Sequence, residues 1–229
     1  MKKGKSTENK AEEYVYGVPP WGAGEDSDDT MYYEDKPAYD SNLVSRLIRD
    51  DKYKEAVRLI RKHLRKHPKS HWLMACLSCC YYEQYKYSLA VRWAWRAVDI
   101  APECPLSMWY YATALDMWGR RRAKEEQSKK WALDVATIVF KKMLKFGLRF
   151  IATVDPCGEG YAQAGALLND ARYRLALISW HRKGYKEAIR WAKLHLRKRA
   201  AGQKSIYTKK QVQQDLKEME DEKLRAVAG

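Results

Sequence analysis

The sequence predicts an all-α protein built from repeated helix pairs, and three observations carry that expectation. Tyr53–Pro68, YKEAVRLIRKHLRKHP, returns as Tyr185–Ala200, YKEAIRWAKLHLRKRA, with nine of sixteen positions identical. A looser version, YSLAVRWAWRAVDIAP, occupies Tyr87–Pro102. From Ser41 onward the apolar residues recur at helical spacing throughout. A shared apolar stripe would be weak evidence of repetition, but here Tyr, Ala, His and the basic tail agree as well. Internal repetition on this scale points to a stacked helical array, whose usual work is to hold another chain.

Taken in order, residues 1–40 read as a flexible arm. Polar and charged residues dominate, Pro19, Pro20 and Pro37 oppose helix, and Gly17, Gly22 and Gly24 loosen the backbone. Asp40 or Ser41 then caps a short helix carrying Leu43, Val44, Leu47 and Ile48 on one face. A turn at 50–52 leads into a helix from Tyr53 to His67, whose inner stripe is Ala56, Leu59, Ile60 and Leu64 and which Pro68 ends. Further helices are expected over about 70–84, 87–100 and 105–118, the last ending at Gly119. A longer one follows over 121–146, closed by Gly147. Residues 148–160, with Asp155–Pro156 and two glycines, read as a loop. Helices resume at 161–182 and 185–199. Thr208 with Gln211 forms a capping box opening a polar terminal helix to about Val227. The expected organisation is therefore an arm over 1–40, a repeat domain over 41–204 and a terminal capping helix over 205–229.

The spacing carries a resemblance. Tyr53 to Tyr87, Ala56 to Ala90 and Pro68 to Pro102 are each separated by 34 residues. A 34-residue helix–turn–helix unit with Tyr and Ala early in its second helix and Pro after it resembles the tetratricopeptide repeat (TPR). The best unit is His71–Cys104, with Leu77, Tyr81, Tyr87, Ala90, Ala97 and Pro102 at motif positions. Ala112, Leu115 and Gly119 match the next first helix, and Gly184, Tyr185 and Ala188 the last unit. Three departures stand out. His63 and His195 occupy positions where alanine is usual, one residue is missing between Gly184 and Tyr185, and the helix through Phe146 is over-long. The resemblance implies a right-handed TPR-like helical-repeat solenoid of antiparallel helix pairs. Alanines at the crossings let the helix axes approach, where a larger side chain costs about 1–3 kcal/mol in strain.

The resemblance also implies a concave groove lined by the first helix of each unit. Carried over residue by residue, Ser41 and Ser45 belong to it in the first unit. The second contributes Trp72, Ala75, Cys79, Tyr82 and Glu83, and the third Leu106, Trp109, Thr113, Asp116 and Met117. The Lys, Asn and Arg with which the family grips a terminal carboxylate are missing at these positions. Trp72, Tyr82, Trp109 and Met117 instead suit an apolar or aromatic segment, or serve as packing between repeats.

Charge is unevenly placed. The arm carries five lysines against ten acids, so the remaining 189 residues hold +20 of a chain whose net charge is +15. Arg58, Arg61, Lys62, Arg65 and Lys66 crowd one helix, Arg120, Arg121 and Arg122 follow, and Arg190 and Arg197 mark the last repeat. Such a body attracts acidic proteins or nucleic acid over about 8–10 Å. Solubility and helix dipoles offer a plainer account of part of it. Tyr16, Val18, Trp21, Tyr32 and Tyr33 are too many large side chains for a plain linker, and the arm is expected to pack back on the body as a strap or a gate.

Other chemistries find little support. Cys76, Cys79 and Cys80 lie inside one helix without a second ligand pair, which predicts buried thiols and no metal. His63 and His67 share a face but are surrounded by cations. Cys157 stands between Asp155 and Glu159, which disfavours a thiolate. No phosphate loop, nucleophile elbow or apolar carboxylate pair is present, so neither a cofactor nor catalysis is expected. The five cysteines lack a disulfide framework and the N-terminus has no apolar region behind its lysines, so a cytoplasmic chain without a membrane span is expected. The expectation is a non-catalytic adaptor for a protein or peptide partner, acidic or aromatic. The alternative is a helical repeat that contacts nucleic-acid phosphates.

Overall fold

The computed structural model describes residues 41–153 and 160–228, with side chains described over 42–147 and 165–227. All secondary structure among these residues is helical. The helices are α1 (Ser41–Arg49), α2 (Tyr53–Leu64), α3 (His71–Glu83), α4 (Tyr87–Ile100), α5 (Pro105–Arg121), α6 (Glu126–Thr153), α7 (Gly160–His181), α8 (Tyr185–Ala200) and α9 (Lys209–Ala228). The arm with Tyr16, Val18, Trp21, Tyr32 and Tyr33, and Cys157 with its flanking acids, lie outside the described residues.

The chain divides into two compact units, one ending at Ala136 and the other beginning at Thr137, within α6. In the first unit α1 packs on α2, α2 on α3, α3 on α4, and α5 on both α4 and α3. In the second, α7 packs on α8 and α9 on α8.

The turns reveal the repetition most directly. Asp51, Tyr85 and Lys183 each have a left-handed backbone, with φ of 58°, 60° and 59°, and each lies two residues before the repeated tyrosine. Their hydrogen bonds match one for one. Lys52 N–H donates to Leu47 O at 2.9 Å, Lys86 N–H to Tyr81 O at 2.9 Å and Gly184 N–H to Ser179 O at 2.8 Å. These six-residue closures, each paired with a shorter one from the left-handed residue, form the C-terminal αL stop of the first helix. In the second helices the packing positions also coincide. Ala56, Ala90 and Ala188 are fully buried, as are Ile60, Ala94 and Ala192 four residues on. The repeat is thus a property of backbone and packing together.

Three expectations need correction. The turns have equal length, so no residue is missing at Gly184. That glycine occupies the place of Lys52 and Lys86 and shares their backbone, with φ of −81°, −81° and −91° respectively. Gly119 does not end α5, which continues to Arg121. A Cβ at Gly119 would lie 3.1 Å from the Ala132 Cβ and 3.3 Å from Leu133, so the glycine serves the approach of α6. Finally, residues 148–153 are helical, not loop. Gly147 breaks α6 with φ 70° and ψ 168°, as its left-handed preference predicts, but helix restarts immediately. No proline intervenes before Pro156 to prevent it.

Helix starts follow their local chemistry. The Ser70 Oγ accepts from Leu73 N–H at 3.3 Å, and Thr208 Oγ1 from Gln211 N–H at 3.1 Å. Pro105 stands at the first position of α5, where its missing N–H costs nothing. In α6, Ala132, Val135, Ala136, Val139, Phe140 and Met143 form one buried stripe at helical spacing. The highly charged α9 lies along its unit through Val212 and Met219, both fully buried. It adds a hydrogen bond from the Tyr173 hydroxyl to Asp215, one from Trp180 Nε1 to Glu222 at 2.9 Å, and a Lys193–Glu220 ion pair at 2.7 Å.

Candidate interaction surface

α3 is buried almost all round, with nine consecutive residues from Leu73 to Tyr81 inaccessible. α5 is similar over Pro105–Trp109 and Tyr111–Asp116. Of the residues assigned to the groove, Cys79, Leu106, Trp109, Thr113 and Asp116 are therefore buried. Trp72, Tyr82 and Met117 are half-buried and Glu83 is exposed. Of the residues assigned to the groove on these two helices, these four remain accessible. Tyr82 meets Tyr87 edge-on with ring centroids 5.5 Å apart, so one face of the Tyr82 ring is engaged by packing.

Asp116 is fully inaccessible. Arg120, one turn on, grips it with both nitrogens, Nε at 2.6 Å and Nη2 at 2.7 Å. A bidentate pair of this geometry offsets the desolvation of a buried carboxylate. Arg120 is thereby withdrawn from the basic surface to which the sequence assigned it, while Arg121 and Arg122 remain exposed. The i,i+4 spacing of Asp116 and Arg120 was the signal for this pairing.

Arg58, Arg61 and Lys62 on α2, Arg65 and Lys66 just past its end, and Arg190 and Arg197 on α8 are exposed. Arg190 has local partners, lying 3.5 Å from Glu187 and with its guanidinium 4.8 Å from the Trp191 ring centre. On α2 one of the cations has a neutral partner. Arg61 donates to the Tyr81 hydroxyl at 2.8 Å. Lys54 and Lys86 extend this face, although the sequence reading did not single them out. With Val57, Arg58, Tyr81 and Gln84 they line an open cleft of about 280 Å³. The lining holds three cations and no acid. Gln84 is fixed by donating to Cys80 O at 2.9 Å while accepting from Lys86 Nζ at 3.1 Å.

The cysteines are packing groups. Cys76, Cys79, Cys80 and Cys104 are free and buried. Burial pushes the Cys79 thiol up to about 11 and that of Cys80 to about 12, so neither is a thiolate at neutral pH.

In the second unit, the histidine that replaces the usual alanine is accommodated by a hydrogen bond. His195 is fully buried and its Nδ1–H donates to Asn169 O at 2.8 Å. Burial, aided by Arg199 and Arg172, lowers its pKa and keeps it neutral. Asp170, on the same turn of α7, ties down the connection between α8 and α9. It accepts from Ile206 N–H at 3.3 Å. Its carboxyl is raised to about 6, chiefly by burial. Both side chains are essentially closed to solvent, so they hold structure and do not meet a substrate.

No family model matches the chain. Two curated proteins share a stretch of 73 residues with it. Intraflagellar transport protein 70A of Homo sapiens is 37% identical over that stretch, which is 32% of this chain and 11% of that protein. Intraflagellar transport protein 70A2 of Rattus norvegicus is 36% identical, with the same coverage. The match thus spans about a tenth of the length of these relatives. No helix among the described residues is long and apolar enough to cross a membrane.

Proposed function

We propose that this chain is a non-catalytic adaptor of the tetratricopeptide type, holding a protein or peptide partner on its first helices. The observation that carries the reading is the triplicate turn with its equivalent buried alanines, which is the construction of a scaffold that stacks helix pairs. The likeness to intraflagellar transport proteins supports it, since their name denotes transport and no catalysed reaction. The groove-facing set narrows to the accessible Trp72, Tyr82, Glu83 and Met117. Trp109 and Leu106 then act from beneath, by keeping α3 and α5 at their spacing.

The test is affinity capture with the full chain and with a W72A/M117A variant whose fold is verified by circular dichroism. A partner lost on substitution supports the groove. Partners retained in full overturn it. A nucleic-acid role rests on a different observation, the exposed cations of α2 and α8. It requires binding that falls steeply with salt and ignores sequence. An aromatic groove responds weakly to salt, so one titration separates the two.

A further inference from the structure

The cations of α2 and of the turn just past its end form a single stripe. Lys54, Arg58, Arg61, Lys62, Arg65 and Lys66 stand at i, i+4, i+7, i+8, i+11 and i+12, and all are exposed. Among the described residues none of the six forms an ion pair, whereas on α8 Arg190 and Lys193 do. Only Glu55 interrupts the charge on α2. Over 25–35 the chain has the opposite character, with Glu25, Asp26, Asp28, Asp29, Glu34 and Asp35 and no cation between them.

We propose that this acidic stretch of the N-terminal arm docks on the basic stripe of α2 and its cleft at Lys54, Arg58 and Lys86. The inference stands apart from the aromatic groove, because it depends on the charge of the arm and not on its aromatic side chains. Chain geometry permits the contact. α1 packs on α2 after a three-residue turn, so the arm joins the body beside α2. Asp35 is six residues before Ser41 and Glu25 sixteen, reaches of about 20 and 50 Å. The stripe is only about 18 Å long at 1.5 Å per residue. Tethering keeps the local concentration of the acids at about millimolar, which favours this segment over a free polyanion.

Zero-length carbodiimide coupling of the full chain, followed by mass spectrometry, reads the contact. Intramolecular bonds are expected from acids 25–35 to Lys54, Lys62, Lys66 or Lys86, falling severalfold between 20 and 500 mM salt. An R58E/R65E variant is expected to lower their yield severalfold. Bonds spread evenly onto lysines of α8 and α9, or only between copies, overturn the proposal. Heparin retention provides a second measure. Neutralising Glu25, Asp26, Asp28 and Asp29 to amides is expected to raise the eluting salt more than the same change at the exposed Glu125, Glu126, Glu218 and Asp221. Equal shifts mean the stripe was never covered, and the proposal fails.

Discussion

Asp170 makes the stability of the second unit depend on pH in a direction opposite to that of most carboxylates. Its side chain is 1% exposed, and one oxygen, Oδ1, has no hydrogen-bond partner. Burial raises its pKa from 3.8 to about 6, against the opposing pull of Ser205, Ile206 N–H, Arg174 and Arg199. Below pH 3.8 the folded and unfolded chains are both protonated here, and the residue contributes no pH dependence. Between 3.8 and 6 the folded state binds the proton more tightly, so stability falls as pH rises. Above 6 the whole penalty is present, about 3 kcal/mol at 1.4 kcal/mol per unit. Asp170→Asn removes the charge and keeps a carbonyl for Ile206 N–H. Urea unfolding of both proteins from pH 4 to 8, monitored by exchange of α7 and α8 amides, isolates this residue from the other acids. The variant is expected to gain about 2.5 kcal/mol relative to wild type between pH 4 and 7.5, since a small part of the penalty is already present at pH 4. The reasoning is refuted if the difference is flat, or if the variant loses ground as pH rises. Either result would mean that Arg174 and Arg199 outweigh burial.

Three further outcomes follow from the first unit and the turns. Arg120→Ala removes the bidentate partner of the buried Asp116 carboxylate and is expected to cost about 3 kcal/mol in denaturant unfolding, with much of the loss recovered when Asp116 becomes Asn in the same chain. Gly119→Val forces the 3.1 Å approach to Ala132 apart and is expected to lower stability by about 1–3 kcal/mol, read as a fall in Tm. Lys183→Gly relieves the left-handed backbone at an exposed position and is expected to raise stability by about 0.5–1 kcal/mol, whereas Gly184→Ala, at φ −81°, lacks that source of gain.

The second helices were legible because small buried residues and a tyrosine recur where helices cross. α4 begins at Tyr87 and ends at Ile100 as its apolar period requires. Glycine was the ambiguous letter. At Gly147 it marks a left-handed break, at Gly119 a close crossing inside a helix, and at Gly184 an ordinary turn backbone. Sequence alone does not separate these roles, because each follows from what faces the residue. The burial of α3 was also hidden. Its pattern HWLMACLSCCYYE has little amphipathic contrast, which is the mark of a helix covered on all sides. The groove assignments for Cys79, Thr113 and Asp116 came from position in the repeat, and position does not report depth.

The charge on α2 is not a by-product of packing, and α4 is the control within the molecule. The two helices share the buried positions Ala56 and Ala90, and Ile60 and Ala94. Yet α4 carries only Arg92 and Arg96, with Ser88, Trp95, Asp99 and Ile100 where α2 has Lys54, Arg61, Arg65 and Lys66. Arg96 lies 5.0 Å from the Trp93 ring centre, so part of that smaller charge is engaged locally. The helix dipole does not explain the excess either. It favours cations in the last turn by about 0.3–1 kcal/mol, but α4 does without them there. Lys54 lies in the first turn of α2, where the dipole disfavours a cation. A stripe that neither packing nor the dipole requires is what the proposed docking of the acidic stretch 25–35 accounts for.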